Sequence, residues 1–175
     1  MMDSSASVGN KNFETSRTFV QHVAERFLTA ETKNSARVRV GVAQYSRKPK
    51  LEVELTQELQ LLSESIEKAS YQDDSTDLLE AMEFARKIFR ERRDARGAWK
   101  KLVLFSDGGS QGVTSASLEQ RVRDLDNDKI EIFVISAGSQ VNEVNLNILV
   151  SKGKKDSFSI GRRDRFHVSD DPSLL

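Results

Sequence analysis

Near the start of the chain, Asp3-Ser4-Ser5-Ala6-Ser7 sets one carboxylate and two hydroxyls at alternate positions. On a turn leaving a strand, alternate residues can point the same way, and hard oxygens gathered on one side suit Mg²⁺. Two later segments offer more oxygen: Thr76 within Asp73-Asp74-Ser75-Thr76-Asp77-Leu78, and Asp107 at the end of Lys101-Leu102-Val103-Leu104-Phe105-Ser106-Asp107-Gly108. The last of these is an apolar strand run closed by an acid and a glycine, as expected of a ligand loop at the carboxyl end of a parallel strand. A D-x-S-x-S stretch by itself is equally the start of a helix, where Asp and Ser cap free N–H groups.

Other chemistries compete for the same residues. A phosphatase or other Mg²⁺-dependent hydrolase could use Asp3 as nucleophile. The position two residues on, where such enzymes place a general acid, holds Ser5, which cannot do that work near neutral pH. Neither the G-x-x-x-x-G-K-[ST] phosphate loop nor the G-x-G-x-x-G fingerprint is present. Ser5 could pair with His22 or His167 as a hydrolytic couple, but neither histidine stands in a supporting motif. The third alternative is an assembly unit that binds through helix faces without metal.

The elements that must position these residues follow from periodicity. Phe13, Phe19, Val20, Val23, Phe27 and Leu28 recur at helical steps and predict an amphipathic helix over 12–30, capped by Asn10 or Asn12. Alternation of Val38, Val40 and Val42 predicts a strand over 37–45. After a turn at 46–50, Leu51, Val53 and Leu55 alternate with Glu52 and Glu54, the pattern of an antiparallel strand at an outer edge. Helices are expected over 58–69 and 77–92, the second capped by Asp73, Asp74 or Ser75 and ending in a charged run, 90–96, that suits a helix C-terminus. The three acids Asp73, Asp74 and Asp77 around Thr76 should help retain a cation and repel an acidic partner. A core strand over 101–106 is preceded by Trp99, expected in the core. Further helices are expected over 115–126 and 142–151, and strands over 130–137 and 165–168. Pro172 suits a helix start.

Strands alternating with helices predict an α/β fold: a doubly wound, mostly parallel, Rossmann-like sheet with one antiparallel edge strand and helices on both faces. At 175 residues a single domain is the default, 1–175, with no internal repeat. Twenty-seven basic residues balance 27 acidic ones, so no global field draws in nucleic acid or an anionic membrane, and no apolar run is long enough for membrane insertion. Cysteine is absent, which excludes thiolate catalysis, a disulfide scaffold and Cys-ligated zinc.

Asp3-Ser4-Ser5-Ala6-Ser7, Thr76 before a helix and Asp107 after a strand resemble, in order and spacing, the metal-ion-dependent adhesion site (MIDAS) of von Willebrand factor type A domains. With Ala24-Glu25-Arg26-Phe27-Leu28-Thr29-Ala30, Leu104-Phe105-Ser106-Asp107-Gly108 and Gln140-Val141-Asn142-Glu143, the chain is most like the A domains of collagen VI chains. The resemblance implies Ser5, Ser7 and Thr76 as direct ligands of Mg²⁺ (or Mn²⁺ or Ca²⁺), with Asp3 and Asp107 acting directly or through water. It implies a protein ligand offering Asp or Glu to the cation, other collagen VI chains and matrix proteins as partners, a secreted location in the extracellular matrix, and no catalysis. Against that family, the strand ahead of Asp3 should be cut short, since only Met1 and Met2 precede it, and a last helix should be truncated after Pro172. A free amine at Met1 would place positive charge near the cation.

Overall fold

The computed structural model describes residues 1–34, 37–92, 95–137, 141–151 and 165–168. Its elements are β1 (Met2–Asp3), α1 (Gly9–Asn34), β2 (Val40–Tyr45), β3 (Pro49–Thr56), α2 (Leu59–Lys68), α3 (Leu78–Glu91), β4 (Lys100–Ser106), α4 (Ser115–Asn127), β5 (Ile130–Ala137), α5 (Glu143–Leu149) and β6 (Arg165–Val168). The strands form one sheet in the order β3-β2-β1-β4-β5-β6, in which β3 alone runs antiparallel to its neighbour. This is the expected doubly wound sheet, and the strand order reverses between β1 and β4, where such folds bind ligands.

Alternation along β4 divides the core. Leu102 and Leu104 join Leu78, Met82, Leu118, Val122, Leu125 and Leu146, so α3, α4 and α5 cover one face. Phe105 turns the other way with Met2, Phe13, Val20, Leu62 and Ile66, under α1 and α2. β1 lies at the centre although it comprises only two residues. Met2 pairs with both Gln44 and Phe105, and the Phe105 N–H donates to the Met1 carbonyl at 2.9 Å.

Several expectations are corrected. The α3 cap is Asp77, whose carboxylate accepts from the Glu80 N–H, and not Asp73, Asp74 or Ser75. Asn12 donates its side-chain amide to the Val8 carbonyl from inside α1 and caps nothing. Trp99 is 89% exposed instead of buried, because it precedes β4 at the rim where no helix among the described residues covers it. Phe27, expected inward, is 51% exposed while Leu28 beside it is buried. Pro49 opens β3, the edge position where a missing N–H costs no ladder bond. The Met1 amine is buried and donates to the Val103 carbonyl at 2.6 Å, and burial lowers its pKa to about 5. The expected helix start at Pro172 and the side chain of His167 lie outside the described residues.

Candidate metal-binding centre

The centre sits at the carboxyl ends of β1 and β4. Asp3 is 1% exposed, and both its carboxylate oxygens are engaged. Oδ1 accepts from the Ser5 N–H at 3.0 Å and the Ser5 hydroxyl at 2.6 Å. Oδ2 accepts from the Tyr45 hydroxyl at 3.1 Å and the Ser106 hydroxyl at 3.2 Å. The Ser5 and Ser7 hydroxyls lie 3.2 Å apart, so the alternate positions of the motif do share a side of the turn.

Two further loops lock onto this turn. The Ala6 N–H donates to the Asp74 carbonyl at 2.9 Å, Asp73 N–H to the Ser4 carbonyl at 3.1 Å, and Gln72 N–H to the Ser4 hydroxyl at 2.7 Å. Thr76 follows two residues later, buried, and its carbonyl accepts from the Ser110 hydroxyl and the Gln111 N–H, both at 3.2 Å. The segment bearing Thr76 is thus held between the Asp3 turn and the loop that follows Asp107. Asp107 is buried; its Oδ1 accepts from the Gly109 N–H at 2.7 Å and its carbonyl from the Asn142 N–H at 2.7 Å. Gly108 has φ +77° and packs so tightly that a Cβ would stand 2.8 Å from the Asn142 carbonyl oxygen. Only glycine meets both demands.

No described residue balances the charge at the centre. Neither Asp3 nor Asp107 forms an ion pair among the described residues. Burial, helped by the charge of Asp107 and opposed by the hydrogen bonds from Ser5 and Tyr45, pushes Asp3 up to about 6. The Tyr45 phenol is raised well above its ordinary value, first by burial and then by Asp3, and stays a neutral donor. Among the described residues no three His, Cys, Asp or Glu side chains converge, so the donor set is two carboxylates with hydroxyls. Such oxygen donors suit Mg²⁺, Mn²⁺ or Ca²⁺.

Tyr45, Ser106 and Ser110 also belong to the centre, though the sequence pattern does not mark them as site residues. Ser106 stands beside Asp107 in the segment Lys101–Gly108, which was the available signal, and Ser110 lies two residues beyond it; Tyr45 carried none, since its contact with Asp3 spans 42 residues.

A family model described as the von Willebrand factor type A domain matches residues 1–171. The chain belongs to the von Willebrand factor type A domain family. Its similarity to the collagen alpha-1(VI) chain of Gallus gallus is 38% identity over all of this chain and 17% of that protein. Against the collagen alpha-1(VI) chain of Homo sapiens it is 37% over all of this chain and 18% of that one. This A domain therefore spans under a fifth of the length of those relatives. In fold it is similar to the SpRpn10 VWA domain, with a TM-score of 0.73 at 14% identity, covering 99% of this chain and 87% of that one. The mussel byssus proximal thread matrix protein 1, solved with a zinc-occupied MIDAS motif, gives 0.73 at 16% identity, covering 96% of this chain and 42% of that one.

Proposed function

We propose that this A domain is a non-catalytic adhesion module of a collagen VI-like chain, acting in the extracellular matrix through a divalent cation held by Asp3, Ser5, Ser7, Thr76 and Asp107. The observation that carries this is a buried acid, Asp3, beside a second acid, Asp107, with no countercharge from any described residue. Burying an unpaired carboxylate is costly, and a bound cation is the usual remedy. When bound, the ion supplies a Lewis-acidic position for a partner's Asp or Glu.

The chain's own residues divide the remaining work. Asp3 accepts the Ser5 hydroxyl proton and so turns the Ser5 lone pairs outward. Tyr45 and Ser106 hold Asp3 by its other oxygen and fix the carboxylate plane. The Asn145 side-chain amide, donating to the Gly108 carbonyl at 2.8 Å, and the Asn142 N–H hold the loop of Asp107 in register. The absence of catalysis rests on Ser5 standing where a general acid would be needed, and on His22 being exposed on α1, away from any motif. Matrix proteins and other collagen VI chains are the partners the relatives suggest.

Titrating Mg²⁺ by calorimetry into the wild type and Asp107→Ala tests the site: saturable heats lost in the variant support it, and equal heats overturn it. Metal-independent assembly through helix faces is the second reading, favoured by the exposure of Trp99. Partner capture that survives a chelator but fails in Trp99→Ala would select it.

A further inference from the structure

We propose that the turn between β2 and β3 is a second subsite beside the cation, with Arg47 and Lys48 taking a second acidic group of the same partner segment. The inference rests on the cation-site reading and narrows its partner to an extended, diacidic protein segment.

The turn opens onto a cleft of about 460 Å³, lined on one side by Arg47, Lys48 and Pro49 and on the other by Gln72 and Asp74. The same Asp74 is bridged to Ser5, so the cleft runs directly off the metal-binding turn. Opposite charges face this space without meeting. Arg47 and Lys48 are exposed and make no ion pair or side-chain hydrogen bond among the described residues, whereas Lys50 is occupied by Glu52 at 2.9 Å. The Asp74 carboxylate is turned to its own loop, accepting from the Ser75 N–H at 2.7 Å. Asp73 accepts from the Tyr71 hydroxyl at 3.1 Å, and Asp77 is spent on capping α3. The two cations are therefore free to answer charge from outside, and their place is fixed. The Ser46 hydroxyl donates to Gln72 at 2.5 Å and its carbonyl accepts from Asp77 at 2.9 Å, which ties the turn to the loop carrying Thr76.

Spacing sets what can reach both places. Arg47 lies two residues beyond Tyr45, the sheet partner of Asp3. The chain bends at 46–48, which sets Arg47 and Lys48 on the cleft beside the Asp3 turn. Residues i and i+2 of an extended partner lie about 7 Å apart on one face, so one acid meets the cation while the next on that face meets Arg47 and Lys48. These cations also offset the repulsion that Asp73 and Asp74 exert on an acidic chain, an effect expected mainly on the association rate.

The test uses the 175-residue chain and two capped nonapeptides, identical except for a central Glu-Ala-Glu or Glu-Ala-Gln, with binding followed by stopped-flow anisotropy in Mg²⁺ and in EDTA. Expected is Mg²⁺-dependent binding in which the diacidic peptide associates about tenfold faster, an advantage lost in Arg47→Glu/Lys48→Glu and reduced in the milder Lys48→Gln. Both variants should keep the wild-type melting temperature, and Lys48→Gln the wild-type Mg²⁺ isotherm, which separates a lost subsite from a lost fold. Equal rates for the two peptides, an advantage that persists in the double variant, or displacement by a heparin fragment in EDTA would overturn the subsite while leaving the cation site standing. A missing Mg²⁺ isotherm in the wild type would overturn the cation reading, and the subsite with it.

Discussion

The two ends of the sheet treat their anomalous residues in opposite ways. At the carboxyl end, Asp3 and Asp107 are buried in a polar network that no cation among the described residues neutralises. At the amino end, Trp99 stands in solvent beside a groove of about 410 Å³ whose walls include Val122, Ile130 and Leu149. A polar group inside costs several kcal/mol unless something compensates it. An apolar group outside forgoes only the roughly 2 kcal/mol that its burial could have contributed. The first anomaly therefore calls for a compensating ligand more strongly than the second calls for a partner, which is why recognition is proposed at the carboxyl end.

The sharpest break of this contrast is at the carboxyl end. Replacing Asp107 by Ala is expected to weaken Mg²⁺ binding by about 100-fold or more, measured by calorimetry, since it removes a charged donor and not merely its support. Trp99→Ala should leave Mg²⁺ affinity unchanged. For folding, Leu104→Ala in the fully buried core of β4 should cost about 3 kcal/mol in urea unfolding, whereas Trp99→Ala should fall within about 0.5 kcal/mol of wild type.

The pH dependence separates the ends next. The folded pKa of Asp3 is raised from 3.8 to about 6, so its contribution to stability is complete below about pH 4 and is lost as pH rises through 6. In EDTA at pH 7 the ionised group should cost about 3 kcal/mol relative to its protonated form. Thermal melts of wild type and Asp3→Asn should accordingly converge as pH falls from 7 to 4. Saturating Mg²⁺ should raise the wild-type melting temperature most at pH 7, where proton competition is weakest. At the carboxyl end the smallest effect is expected for Tyr45→Phe, which removes one donor to Asp3. A loss of about tenfold in Mg²⁺ affinity, with about 1 kcal/mol of stability, would mark Tyr45 as a positioning residue. Unchanged affinity would show that Ser106 alone suffices to orient the carboxylate.

Legibility in the sequence followed the range of the forces involved. Short-range pattern was enough for β4 and β5, whose apolar runs leave no other assignment, and for β3, where Glu52 and Glu54 alternate with Leu51, the buried Val53 and Leu55. The D-x-S-x-S turn was legible because its hydrogen bonds close within two residues. The α3 cap was misjudged because several capping types crowd 73–77, and which one caps depends on the loop first satisfying Ala6 and Ser4. Trp99 and Phe27 were misjudged because periodicity gives a direction and not whether anything lies there to cover it. Tyr45 needed the sheet itself: only the β1–β2 register puts it beside Asp3.

The amide of Asn142, bound at 2.7 Å to the carbonyl of Asp107, gives the molecule a reporter at its own centre. Its exchange with deuterated solvent requires that single bond to open, so its protection measures how firmly the acid-bearing loop is clamped. A backbone spectrum recorded with and without Mg²⁺ would then read occupancy from one resonance, without a label and without knowing the partner.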